Sequence, residues 1–328
     1  MKQGKISETV YKRSIIKGIH FKKPEVLQGV TLPGTSSAMR ISGDGNTLVT
    51  AGFSSRNIGA DAESIGIISV VNEIRSRGAE PLGVIINLLY PPGYTEGELK
   101  SAIHSFDDEC ARQGMPILSV NGEVTDNVVR PVINLTGLGK AQEGRLLSLS
   151  DCRPGQDIVM SKHAGMEGTW LIGQMKKAAL EARFSQRFIM DINRYKTEFS
   201  VAREAAAAGR HGVTAMQNVR EFGVFGALWD LGTAAKTGIR VELKKINIRQ
   251  ETIEVCELFG LNPYQLLSEG SLLMIADDGE ALVHELEKED IPASVIGRLT
   301  PGNDRVIVND GEERYLMPPL NDEIEKLI

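Results

Sequence analysis

Short β-branched runs alternate with amphipathic helical stretches along almost the whole 328-residue chain, and this alternation restricts the available folds to α/β layers. In the first half, Leu48–Ala51, Gly83–Leu89, Ile117–Val120 and Val132–Thr136 are apolar runs bounded by Gly, Pro or Asn, as strands are. Between them, 62–77 sets Ile65, Ile68, Val71 and Ile74 at helical spacing and stops at Gly78. Thr95 followed by Glu98 predicts a capping box that opens a second helix through Leu99, Ile103 and Phe106, with a stop at Gly114. Residues 139–155 are polar and rich in Gly and Ser, so the expected boundary falls there, giving domains 1–148 and 149–328. Beyond it, strands are expected at 157–161, 240–243, 271–276, 294–298 and 305–308. Helices are expected at 169–182, 199–208, 226–235, 251–259 and 279–288. The pattern leaves parallel and mixed sheets open.

Composition excludes several function classes. Net charge is −6, with 37 Lys and Arg against 43 Asp and Glu, which argues against a nucleic-acid or anionic-membrane partner. The basic start has no apolar stretch behind it, and no apolar run reaches transmembrane length. Three widely spaced cysteines offer neither a disulfide framework nor a metal spacing, so the expected location is the cytoplasm. The five histidines form no pair at helix-face metal spacing, and no GxSxG, HExxH or Walker motif occurs.

Three stretches carry candidate chemistry. Asn57-Ile58-Gly59-Ala60-Asp61 opens the 62–77 helix, whose later turn holds Asn72 and Glu73. A glycine turn at a helix start suits an anion, and Glu73 can offer oxygen to Mg²⁺; the competing reading is that Asp61 caps the helix and Glu73 is a surface residue. Ser119–Thr125, with Asn121, Gly122 and Glu123, reads as a polar loop at a strand end, or as a simple Asn-Gly turn. Asn218 to Gly226 places Gly223 and Gly226 before a helix, either for phosphate approach or as a strand–turn–helix corner.

In order along the chain, Asn72-Glu73 with Arg77-Gly78-Ala79-Glu80-Pro81-Leu82, then 131–139, Gly165–Thr169, Phe222–Gly226 and Leu261–Leu272 resemble the motifs of one family. It is the PurM/HypE-like group, which includes aminoimidazole-ribonucleotide synthetase, the hydrogenase-maturation dehydratase, thiamine-monophosphate kinase and selenophosphate synthetase. The resemblance implies a two-domain PurM-like fold: an N-terminal sheet-and-helix domain that dimerises, and a C-terminal α/β domain. It also implies ATP and Mg²⁺ as cofactors. On that reading Asp61, Glu73 and Glu123 hold the metal, and Asn72, Asn121, Gly122 and Asn218 meet the nucleotide. Gly223 and Gly226 receive an anion.

The sequence departs from the family where the family is acidic. Ser36, in Gly34-Thr35-Ser36, stands at an Asp position, and Thr50-Ala51-Gly52 lacks the next carboxylate. Asn121 replaces another Asp, and Asn218-Val219-Arg220-Glu221-Phe222-Gly223 loses an Asp, a Thr and a Gly. Fewer carboxylates mean fewer ligands and less counter-charge for Mg²⁺. Two functions therefore stay open. One is an ATP-dependent, phosphoryl-transferring enzyme that works by positioning and charge neutralisation. The other is a non-catalytic homodimer that binds a small-molecule, nucleotide or protein partner.

Overall fold

In a computed structural model, residues 26–28, 36–41, 46–55, 61–142 and 144–328 are described, together with Thr9 and Lys12. The Asn57–Ala60 turn and Gly34-Thr35 lie outside the described residues. The chain divides into two compact units between Leu146 and Leu147.

The first unit is a six-stranded mixed sheet. Its strands are β1 (Val26–Gln28), β2 (Ser36–Ile41), β3 (Asn46–Ser54), β4 (Glu80–Tyr90), β5 (Ile117–Val124) and β6 (Val132–Gln142), in the order β1-β2-β3-β6-β4-β5. All neighbours are antiparallel except β4 and β5. A parallel pair needs a long crossover, and here it is α2 (Glu96–Gln113). The expected capping box opens α2: Thr95 Oγ1 accepts from the Glu98 N–H, and the Thr95 N–H donates to Glu98 Oε2 at 2.8 Å. Gly114 closes it at φ 68°.

The other helix, α1 (Ala62–Ser76), buries Ile65, Ile68, Val71 and Ile74, as their spacing requires. Glycines let it lie close to the sheet. A Cβ on Gly137 would come within 2.0 Å of Val70, and one on Gly139 within 2.4 Å of Ile74. Side chains alternate in β3, β4 and β6. Val49, Ala51, Phe53, Ile86, Leu88, Ile133 and Leu135 meet the helices, while Thr50, Ser54, Asn87, Leu89, Asn134 and Thr136 point to the other face.

The second unit is a seven-stranded sheet in the order β13-β12-β9-β11-β7-β10-β8. Its strands are β7 (Asp157–Ser161), β8 (Ala215–Val219), β9 (Gly238–Glu242), β10 (Ser271–Ala276), β11 (Ala293–Thr300), β12 (Arg305–Asn309) and β13 (Glu312–Tyr315). Only β9 and β12 pair in parallel. The helices are α3 (Met166–Met175), α4 (Lys177–Glu181), α5 (Gln186–Arg194), α6 (Ala202–His211), α7 (Gly223–Ala235), α8 (Gln250–Phe259) and α9 (Gly279–Glu287). The single helix expected at 169–182 is two, broken at Lys176. Among the described residues no helix is long and apolar enough to cross a membrane.

Candidate functional site

The first unit disperses its candidates. Asp61 occupies the N-cap position of α1 in a left-handed conformation, φ 64°, and its side chain makes no capping hydrogen bond, which corrects the simple-cap reading. Glu73 sits twelve residues later in the same helix. At 1.5 Å per residue that is about 18 Å, whereas ligands of one Mg²⁺ lie about 2 Å from it. Asn72 is fully buried, at 0% exposure, on the packed side of α1.

The segment expected as a polar loop or Asn-Gly turn is neither: β5 continues through Asn121, Gly122 and Glu123. Its backbone follows β4 residue for residue, with Asn87 opposite Asn121 and Leu89 opposite Glu123, so the ladder overrides the local turn signal. Asn87 and Leu89 face away from the helices, and Asn121 and Glu123 share that face. Glu73 and Glu123 are therefore on opposite sides of the sheet. The expected trio of Asp61, Glu73 and Glu123 is not brought together within one chain. Among the described residues, no group of three or more His, Cys, Asp or Glu side chains is placed to hold a metal ion. The residues present do not fit a Mg²⁺ ion held as expected. An open hollow of about 470 Å³ in this unit is lined by other groups, including Glu63, Tyr94, Glu98 and Ser105.

The second unit concentrates its candidates and then spends them internally. Strand β8, which the polar Gln217 and Asn218 disguise in the sequence, is buried throughout. It delivers Asn218, whose Nδ2 donates to Glu269 Oε1 at 2.8 Å. Just beyond, Arg220 projects into a cluster of acids. Its Nε lies 3.1 Å from Glu269 and 3.9 Å from Glu167, and its Nη1 lies 3.3 Å from Glu221. Glu167 is 1% exposed and Glu269 0%. Glu167 Oε2 also accepts from the Glu269 N–H.

These positions explain the charge states. Burial pushes the Glu167 carboxyl up to about 8; Arg220 opposes the shift, while Glu269 and Asp322 add to it. Burial works against the Arg220 guanidinium, yet Glu167, Glu221, Glu269 and Asp322 hold it charged, above its ordinary value.

The glycines of this motif are packing glycines. A Cβ on Gly223, at φ 59°, would stand 2.5 Å from the Tyr264 carbonyl and 2.8 Å from that of Leu266. One on Gly226 would meet Phe222 and the Glu221 carbonyl. Both positions lie against protein, so the strand–turn–helix corner describes them better than an open phosphate cradle. The non-glycine Phe222 holds the left-handed region at φ 61°. Its N–H, at the start of α7, is taken by Asp322 Oδ2 at 2.7 Å.

Sequence reasoning passed over Glu167, Arg220, Glu269 and Asp322 as site residues. The available signal was an acid flanked by glycine in apolar surroundings, as in Gly165-Met166-Glu167-Gly168 and Ser268-Glu269-Gly270. Asp322 carried no such signal.

Profiles described as AIR synthase related protein match the chain twice, the N-terminal domain at residues 30–141 and the C-terminal domain at 153–309. A putative hydrogenase expression/formation protein of Methanocaldococcus jannaschii is 22% identical over 336 residues, spanning 99% of this chain and 97% of the relative. A solved structure of a HypE–HypF complex is similar with a TM-score of 0.71 at 20% identity, over 86% of this chain and 93% of the other. The hydrogenase maturation protein HypE, solved in complex with ATP, gives 0.69 at 18%, over 98% and 97%.

Proposed function

The chain belongs to the AIR synthase related family, and from that premise we propose that it is a homodimeric, partner-binding member that does not run a magnesium–ATP phosphoryl-transfer cycle. The observation that carries this reading is the dispersal of the three metal-ligand candidates. Asp61 and Glu73 lie at opposite ends of α1, and Glu123 is on the far face of the sheet. Phosphoryl transfer depends on positioned charge and metal, and the expected carboxylates do not converge on one ion.

The dimer is supported by the helix-free face of the first sheet. Ile85, Asn87 and Leu89 of β4 are half-buried there beside Asn134 and Leu138 of β6. A largely antiparallel sheet with a weakly charged second face is suited to cover by another sheet. The similar protein solved as a HypE–HypF complex supports a protein partner. Three buried, unpaired cysteines fit a cytoplasmic setting.

Magnesium–ATP turnover is favoured by one observation, the similarity to a protein solved in complex with ATP. Two experiments separate the readings. Sedimentation of the purified chain should give a dimer, and Leu89→Arg, a charge on the open face, should give a folded monomer. Phosphate release from ATP and Mg²⁺ should stay at background. A monomeric wild type, or turnover lost in Glu73→Gln, would overturn the proposal.

A further inference from the structure

One helical stretch of the second unit reverses the charge of the chain. Residues 176–196, which include α4 and α5, hold six Lys and Arg against two acids, in a protein of net charge −6. The two acids do not quench them. Glu181 pairs with Lys177 at 3.8 Å, and Asp191 is shared by Arg187 at 4.0 Å and Arg194 at 3.1 Å. Arg187 is 93% exposed and Lys177 and Arg194 68%, so these pairs contribute little. Arg183, in the turn between the helices, is exposed as well.

Apolar groups stand among these cations. Phe184 and Phe188, at the N-terminal end of α5, are half-buried and stack with ring centres 4.1 Å apart and planes at 13°. Met190 is 55% exposed. Arg187, Met190 and Arg194 follow at i, i+3 and i+7, so they share the outward face of α5. The inward face is already packed: Ile189 and Ile192 are buried, and a Cβ on Gly173 of α3 would come within 2.8 Å of Ile192. Ser185 Oγ caps α5 by accepting from the Phe188 N–H at 3.3 Å, and Gln174 Nε2 of α3 donates to Asn193 Oδ1 at 2.7 Å. The helix is thus fixed in place before anything binds, which lowers the cost of binding.

We propose that the outward face of α5, with Arg183 and the Phe184–Phe188 pair, is a docking surface for an acidic segment of a partner protein, whose carboxylates flank an apolar side chain. The proposal rests on the partner-binding part of the reading above and not on the dimer. The carboxylates meet the forked guanidinium donors of Arg183, Arg187 and Arg194, and the apolar side chain covers Met190 and the stacked rings. Arg, Met and aromatic side chains are the types enriched where proteins meet. An anionic membrane fits less well, because a surface helix enters lipid with its apolar face, and here that face is packed against α3. Nucleic acid fits less well too, because rings that receive bases stand open, and these are stacked on each other.

The test titrates the full chain into a fluorescent peptide of about a dozen residues, Glu and Asp around a central Leu-Phe pair, at low salt. Anisotropy should show saturable binding that weakens as salt rises. The double variant Arg183→Glu, Arg187→Glu should bind at least about tenfold more weakly, and Met190→Ser about threefold. Unchanged melting curves would show both variants folded, as exposed positions allow. A second peptide, with Ser in place of the Leu-Phe pair, keeps the charge and should bind about tenfold more weakly to the unaltered chain. No saturable binding, equal binding of the two peptides, or equal binding by the wild type and the double variant overturns the docking surface. So does tighter binding of a single-stranded oligonucleotide or of phosphatidylserine vesicles than of the first peptide. If the double variant does not fold, the two peptides on the wild type decide alone. All these readouts lie in the second unit, so their failure leaves the sedimentation and phosphate-release tests of the proposed function untouched.

Discussion

In the first unit three of the polar candidates of the sequence end on surfaces, Asp61 at an exposed helix start and Asn121 and Glu123 on an exposed edge strand, while Asn72 is buried under its helix. In the second unit they turn inward. Asn218 is bonded to Glu269, and Arg220 is enclosed by Glu167, Glu221 and Glu269. Both sets looked alike as sequence, a polar group near glycine beside a strand or helix end. What separates them is the supply of partners from distant parts of the chain. Glu269 and Asp322 arrive about fifty and a hundred residues after Asn218 and Phe222. The first unit leaves these groups at its surface, whereas the second has folded its own charges into the site.

The sharpest way to break this contrast is Arg220→Met. It leaves Glu167 and Glu269 buried without their cation, and a broken buried pair costs about 3–5 kcal/mol. Denaturant unfolding should show that loss. A change under about 1 kcal/mol would mean that the cluster is solvated like the first unit's residues.

Next in size is Gly223→Ala. The new Cβ meets backbone oxygens at 2.5 and 2.8 Å in a left-handed conformation, and overpacking of this kind costs about 1–3 kcal/mol. Circular dichroism melts should fall accordingly, whereas an unchanged melt would restore Gly223 to an open, ligand-facing role.

A smaller effect is written in pH. Glu167 binds its proton more tightly when folded, with its carboxyl raised to about 8. Its contribution to stability is therefore fully present below the ordinary glutamate range and is lost as pH rises toward 8. The slope is at most about 1.4 kcal/mol per pH unit for one proton. Glu167→Gln should flatten that slope between pH 5 and 8, as denaturant midpoints across the range would reveal. An identical slope in both proteins would assign the proton elsewhere.

The smallest effects belong to the first unit. Asn121→Ala and Glu123→Gln, on an exposed strand, should each change stability by no more than about 0.5 kcal/mol. Larger losses in a sample held as monomer would show that these side chains are tied into the unit after all.

Much of the fold was legible because local physics decided it. The apolar spacing of Ile65, Ile68, Val71 and Ile74 and the Thr95–Glu98 capping box each required only neighbouring residues. Strand β8 was hidden because Gln217 and Asn218 interrupt its apolar run, and their burial depends on β10 pairing alongside. The Asn-Gly signal at 121–122 failed for a related reason: the β4 ladder outweighs a turn preference. The candidate site was legible only as positions. Gly223 and Asn218 stood out as sequence, but the groups that meet them, Leu266 and Tyr264 at Gly223 and Glu269 at Asn218, are distant in sequence.

The central claim, that the acids of the first unit do not assemble a magnesium–ATP site, is tested most directly by thermal unfolding with and without millimolar ATP and Mg²⁺. Ligand at about 100 times its dissociation constant stabilises a fold by about 2.7 kcal/mol, a shift of a few degrees for a chain of this size. The account predicts a folded dimer with no magnesium-dependent shift. A shift that requires Mg²⁺ and vanishes in Glu73→Gln would contradict it.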